Sequence, residues 1–253
     1  MIQPLRSVVA AVRSLSAYVG VALWVLVPGS VGMVLAALSR RHRILYALGR
    51  GGVRIGLALA GIRYRVAGAQ HVQRSRGAVY CVNHTSNLEP PIIFMALASI
   101  HPRLKILYKA ELRRFFPVLR NAFDLVGFVP IERRNREQSS RAIDAAAAAL
   151  AGGDSFMVFP EGTRSRSGAL LPFKKGGFLM AIRGQATIVP VAIQGAAAAM
   201  RKGSPFIRPV TVSVRFGSPI EAAGVDTNER DALVSRTRSA IKQLLAAGPV
   251  SPR

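Results

Sequence analysis

Ala78-Val79-Tyr80-Cys81-Val82-Asn83-His84-Thr85-Ser86-Asn87-Leu88-Glu89-Pro90-Pro91 passes abruptly from an apolar run to a turn crowded with hydrogen-bonding side chains. The apolar part, bounded by Gly77, has the length and composition of a short buried strand, which ends on Asn83 with His84 following at once. A carboxylate five positions after a histidine can hold one ring nitrogen and leave the other to face a substrate as a general base. A lone histidine in a polar turn is by default a solvated side chain, but Ser86, Glu89 and a double proline share this turn and shift the reading to chemistry. Glu89 also suits the N-terminus of a helix starting near Pro90, and the roles are compatible because one carboxylate accepts several hydrogen bonds. Ser86 lacks the Gly-x-Ser-x-Gly elbow of an activated nucleophile and is read as a helix cap.

Outward from this strand, short apolar runs alternate with helical patterns. Strands are expected at 78–82, 104–108, 125–131, 155–159, 186–193 and 210–216, and helices at 91–99, 110–122, 138–151, 174–183 and 228–247. Such alternation indicates an α/β domain, with a mostly parallel, mixed sheet flanked by helices. Gly152-Gly153 stops an alanine-rich helix, and Asp226 with Glu229 resembles a capping box for the last one. The chain is thus divided into an N-terminal membrane-associated helical segment (1–61), a catalytic domain (62–247) and a tail (248–253) expected to be disordered.

Residues 17–38 carry no charge and are long enough as one helix to cross a bilayer core of about 30 Å. Pro28-Gly29 is expected to break the run into two short helices that dip in and return. Arg6 and Arg13 precede it and Arg40-Arg41-His42-Arg43 follow, so flanking charge gives no clear orientation. A re-entrant anchor on the cytoplasmic leaflet is preferred to a single span, and a signal peptide is disfavoured by the length of the run. Residues 44–62, interrupted by Gly51-Gly52, are expected as an interfacial helix or a pair of turns, with Arg50 and Arg54 on one face, the alternative being a helix packed on the domain.

The chain has 35 lysines and arginines against 12 acidic residues, a net charge of +23. Such an excess implies a polyanionic partner: nucleic acid, an anionic membrane surface or a phosphorylated ligand. No nucleic-acid motif is present and few aromatics are available to stack on bases, so nucleic acid is the weakest of these. Cys81 is the single cysteine, which excludes an internal disulfide and fits a reducing compartment. The histidines (His42, His71, His84, His101) lack metal-ligand spacing, so no metal site is expected.

A second constellation is Ser155-Phe156-Met157-Val158-Phe159-Pro160-Glu161-Gly162-Thr163-Arg164-Ser165, a buried strand ending in a turn where α/β sheets bind ligands. Gly162 lets the backbone approach an anion, and Arg164 can hold a phosphate through two parallel hydrogen bonds. Arg166, Lys174 and Lys175 flank the loop. Lys109 begins Lys109-Ala110-Glu111-Leu112, and Arg133 ends Gly127-Phe128-Val129-Pro130-Ile131-Glu132-Arg133, so Arg133 can point into the same crevice. Pro190, in Val189-Pro190-Val191, is read as shaping a strand end.

Residues 62–217 resemble the glycerolipid acyltransferase family, closest to the bacterial 1-acyl-glycerol-3-phosphate acyltransferases. The family's first block, His and Asp separated by four residues, corresponds to His84 through Glu89; its second to Gly127 through Arg133; its third to Phe159-Pro160-Glu161-Gly162-Thr163-Arg164-Ser165 at every position; its fourth to Val189-Pro190-Val191. One departure is Glu89 in place of the usual Asp. The resemblance implies that His84 is the base and Glu89 its orienting partner. It assigns the glycerol-phosphate site to Lys109, Arg133, Glu161, Gly162, Thr163 and Arg164. The implied reaction is acyl transfer from a thioester of coenzyme A or acyl carrier protein to the free hydroxyl of a lysophosphatidate, in phospholipid biosynthesis. No cofactor or metal is implied, and the expected location is the cytoplasmic face of the inner membrane, against its anionic surface. The rivals are the same fold on another acceptor (glycerol-3-phosphate, a lyso-ornithine lipid or a glycolipid) and a non-catalytic basic membrane-surface protein.

Overall fold

The computed structural model describes residues 2–251 apart from 112, 114–116, 133 and 134, and the backbone alone for 2–6 and 117–119. Its strands are β1 (Arg63–Ala67), β2 (Ala78–Val82), β3 (Leu104–Lys109), β4 (Val129–Ile131), β5 (Ser155–Val158), β6 (Thr187–Gln194) and β7 (Thr211–Phe216). The helices described are α1 (Ile2–Trp24), α2 (Ser30–Ser39), α3 (Arg43–Ala60), α4 (Glu89–Ala96), α5 (Pro117–Leu125), α6 (Arg136–Ala151), α7 (Gly176–Arg183), α8 (Ala196–Ala199) and α9 (Arg230–Ala246).

All five residues of β2 are buried, as their unbroken apolar character requires. β2 is central in a 7-stranded sheet of order β1-β7-β6-β2-β5-β3-β4. Neighbours run parallel except β6 and β7, so the sheet is mixed but mostly parallel, as expected. Strand alternation divides the side chains of β2 between two cores: Ala78, Tyr80 and Val82 face one, Val79 and Cys81 the other. The first core also takes Leu57 and Ala60 of α3 and Ile92 and Ile93 of α4; the second takes Ala146 of α6, Phe178 of α7 and Ile241 of α9. The parallel strands β2, β5, β3 and β4 end on one edge, where the site lies.

Several local expectations are corrected. The strand expected over 125–131 begins only at Val129, because Leu125 still belongs to α5 and Gly127 turns the chain at φ +74°. Pro190 lies inside β6 rather than at its end, paired with Cys81. Its missing N–H is tolerated because the partner strand is irregular there: Ile188 bridges Ile220, while the next pair is Val191 with Phe216. The tail expected to be disordered from Gly248 is held as far as Val250, whose N–H donates to Ser213 Oγ at 2.9 Å.

The N-terminal segment departs most from expectation. Pro28-Gly29 does not break the apolar run: Val25–Gly29 widens into a π-helical turn and the helix continues to Ser39. A wider turn separates the proline ring from the carbonyl one turn back, which an α-turn would bring into contact. Ser7–Ser39 forms a 33-residue helical stretch containing an 18-residue window of mean hydropathy 2.2, long and apolar enough to cross a membrane by length and composition. The chain reverses instead at Arg40, which adopts the left-handed conformation at φ 54°. α3 then packs back along α1 as one uninterrupted helix, without a break at Gly51-Gly52. Those glycines leave room for Trp24, since a Cβ on Gly51 would stand 2.5 Å from its ring. The Trp24 indole N–H donates to Leu48 O at 2.9 Å across the same contact.

Candidate active site

The site grows from the end of β2. Buried Asn83 stops the strand by pairing its amide with the backbone of β6: Nδ2 donates to Ile193 O at 3.0 Å, and Ile193 N donates to Oδ1 at 2.7 Å. The backbone of the next residue, His84, is gripped from both sides by the loop after β5. His84 N donates to Glu161 Oε1 at 2.7 Å, and Ser165 N donates to His84 O at 2.7 Å. The two constellations singled out in the sequence therefore form one site.

The His84 ring stacks on Phe159 with centroids 4.2 Å apart, and its Nδ1 donates to Glu89 Oε2 at 2.7 Å. Glu89 is the first residue of α4, with prolines at the next positions. Its side chain is 0% exposed while that of His84 is 16% exposed. The buried carboxylate also accepts from Thr85 N at 2.9 Å and Thr85 Oγ1 at 2.5 Å. These are the partners a buried charge requires, and they orient it toward the imidazole. The carboxylate on Nδ1 fixes the neutral tautomer with its proton there, leaving Nε2 as the basic nitrogen. Ser86 braces the turn, accepting from Leu88 N at 3.3 Å and donating to Met200 O at 2.8 Å.

Glu161 lies beneath the loop, with its carboxylate spent on two backbone amides: His84 N on Oε1 and Leu171 N, at 2.8 Å, on Oε2. Burial pushes its acid up from the ordinary carboxylate range, offset in part by those two N–H groups. Gly162 adopts φ +68°, a left-handed conformation that favours glycine, with the flexible Lys174 side chain lying against it. Thr163 is exposed and Arg164 half-buried beside it. The structure thus gathers His84, Glu89, Glu161, Gly162, Thr163 and Arg164. Lys109 stands at the carboxyl end of β3, half-exposed, with its ammonium 3.9 Å from Glu111. Arg133 lies outside the described residues.

Sequence reasoning missed Lys202, whose Nζ donates to Arg164 O at 2.9 Å and lies 3.4 Å from Thr163 Oγ1. No spacing rule links it to a loop 38 residues earlier. It also missed Leu171 as a partner of Glu161, and it quoted Phe159 without foreseeing the ring stacked on His84.

Fold and site together define the class: an α/β protein with an acid-steadied imidazole at the carboxyl edge of its sheet, tied to a Gly-Thr-Arg loop. The model of the acyltransferase family matches residues 63–194, and the chain belongs to that family. A 1-acyl-sn-glycerol-3-phosphate acyltransferase of Limnanthes douglasii is 33% identical, over 63% of this chain and 55% of its own length. The beta form from Homo sapiens is 31% identical over 72% of this chain and 64% of its own. The Borreliella burgdorferi enzyme of the same name is 27% identical over 80% of each. The chain spans about half the length of the first of these relatives. Among solved structures, the 1-acyl-sn-glycerophosphate (LPA) acyltransferase PlsC from Thermotoga maritima superposes with a TM-score of 0.79 at 21% identity, covering 96% of this chain and 98% of that one, a likeness of fold.

Proposed function

We propose that this chain moves a fatty acyl group from an acyl thioester to the free hydroxyl of 1-acyl-glycerol-3-phosphate, forming phosphatidic acid for phospholipid biosynthesis. The observation that carries the reading is the 2.7 Å contact between His84 Nδ1 and buried Glu89, on a turn bonded directly to the loop that bears Arg164. The names of the relatives support the same acceptor.

In this mechanism His84 Nε2 takes the proton of the acceptor hydroxyl as its oxygen attacks the thioester carbonyl. The C–S bond then breaks, and the imidazolium returns the proton to the departing thiolate. Glu89 stabilises the imidazolium without itself becoming protonated. No acyl-enzyme intermediate and no cofactor enter the steps; coenzyme A and acyl carrier protein both offer the thioester they need. Arg164 forks onto the acceptor phosphate above Gly162 and Thr163, while Glu161 holds the loop against His84. Lys109 adds positive charge from the end of β3, and the family resemblance assigns Arg133 to the same phosphate site.

The acyl chains require an apolar environment. A cavity of about 300 Å³ between the N-terminal helices and the domain, lined by Trp24, Tyr46, Gly52, Phe94, Phe123 and Phe128, supplies one beside α4. The apolar α1–α2 stretch, long and apolar enough to cross a membrane, forms the anchor with its antiparallel partner α3; on this reading it sits at the cytoplasmic face of the inner membrane.

The deciding experiment is transfer of a labelled acyl group to lysophosphatidate by purified protein, beside a panel of other acceptors. His84→Ala is expected to lose at least about 10²-fold in kcat with its fold intact, since general-base catalysis alone supplies about 10²–10⁴. Near-normal turnover in His84→Ala, or a covalently acylated protein trapped during turnover, would refute the mechanism.

A further inference from the structure

The segment between α8 and β7 is fastened both to the candidate active site and to α1. Met200 O accepts from Ser86 Oγ at 2.8 Å, in the turn that carries His84 and Glu89. Pro205 O accepts from Tyr18 Oη at 2.7 Å, and Ile207 N donates to buried Ser14 Oγ at 2.7 Å, so the far side is fastened to α1. Arg208 N donates to Ala199 O at 2.8 Å and closes the base of the loop. Lys202 lies between these fastenings, so its long side chain starts from a fixed backbone.

The Lys202 ammonium is held by two neutral oxygens, Arg164 O at 2.9 Å and Thr163 Oγ1 at 3.4 Å. Lys175 nearby is different, being turned 2.9 Å from Asp231 on α9 and neutralised there. A lysine has three N–H donors, and two neutral acceptors leave both a donor and the full positive charge unspent. That charge is fixed on the same backbone that presents Arg164. A phosphate monoester carries close to two negative charges near neutral pH, more than one guanidinium matches. An arginine fork together with a lysine point charge on one loop is a complementary pair for it.

We propose that Lys202 is a phosphate-binding, specificity-determining residue of the acceptor site, acting beside Arg164 to favour a glycerolipid phosphate monoester over an uncharged glycerolipid. The role deepens the reading under Proposed function and rests on it.

The test is steady-state kinetics of the full chain in mixed micelles, varying lysophosphatidate and acyl thioester separately. Lys202→Met keeps the stem and removes the charge. It is expected to raise KM for lysophosphatidate about tenfold, the loss of one charge-assisted hydrogen bond, while kcat changes less than about threefold. KM for the thioester stays put, Lys202→Arg restores the acceptor KM to within about threefold, and competitive inhibition by inorganic phosphate weakens in Lys202→Met by the same factor. Lys202→Gln, which keeps a neutral donor, is expected to follow Lys202→Met and guards against a packing defect peculiar to methionine. An unchanged acceptor KM overturns the role; so does a parallel loss of kcat and both KM values in the Met, Gln and Arg variants, the signature of a brace alone. Wild-type protein inert toward lysophosphatidate overturns the acceptor reading and this role with it. An active wild type with an indifferent Lys202→Met removes only the role of Lys202.

Discussion

Glu89 is a carboxylate sealed from solvent, which is tolerable only because His84 Nδ1, Thr85 N and Thr85 Oγ1 all donate to it. Its length accounts for its place at this position: starting from the first residue of α4, the side chain still closes on Nδ1 at 2.7 Å. Glu89→Gln keeps that size but removes the charge that stabilises the imidazolium. It is expected to lower kcat about 10²–10³-fold with a smaller change in KM, read from the same acyl-transfer assay. His101 serves stability instead. Packed between the rings of Tyr46 and Phe94, with centroids 5.0 and 4.3 Å away, it is brought down from 6.5 to about 4 by burial and then by the nearby Arg50 guanidinium. The unfolded chain therefore binds this proton first. The stabilisation is complete above about pH 6.5 and drains away as pH falls toward 4. Urea midpoints measured across that window are expected to fall less steeply in His101→Phe than in the parent; identical slopes would contradict the assignment. Cys81 is pushed up to about 12 by complete burial, so it takes no part as a nucleophile.

Among the elements, the α1–α3 contact shows how a helix interior tolerates glycine. Gly51 and Gly52 would ordinarily weaken α3 by about 1 kcal/mol each relative to alanine. Here they make room for the Trp24 indole, which a Cβ at Gly52 would approach to 2.8 Å. Gly52→Val is therefore expected to force the helices apart and cost about 1–3 kcal/mol, seen as a lower thermal midpoint, although valine is the better helix former. A midpoint equal to or above the parent's would show that the close contact is not needed. The π-turn at Val25–Gly29 belongs to the same contact, since it accommodates Pro28 without interrupting the rod.

At the scale of the whole molecule, apolar exposure is concentrated on one element. Val12, Leu23, Val27, Val31, Val34 and Leu38 on the α1–α2 stretch are 56–79% exposed. A contiguous apolar surface of that extent needs a covering phase, and acyl-chain chemistry suits a bilayer. Replacing Leu23, Val27 and Leu38 by glutamate is expected to shift the protein from vesicles to the soluble fraction in flotation, while circular dichroism of the sheet domain stays unchanged. Undiminished flotation would point to binding through the basic surface alone, and raising the salt concentration would then release it. The +23 charge and this apolar face are complementary, because an anionic leaflet satisfies both.

Although β1 (Arg63–Ala67) was not foreseen, the alternation of strands and helices from β2 onward, the His84–Glu89 partnership and the family blocks were legible in the chain itself. Each depends on residues a few positions apart, where alternation, turn chemistry and spacing act directly. The long apolar run was equally legible, but its course was not, because whether Pro28 breaks a helix or is absorbed in a wider turn depends on what packs beside it. Only the tertiary structure showed that Glu161 spends its carboxylate on the backbone of His84, 77 residues away, and that Lys202 closes on Arg164 across 38. Those meetings follow from sheet order, which sets β5 and β6 on either side of β2. A strand's partners are decided by the burial of the whole core rather than by anything in the strand's own sequence.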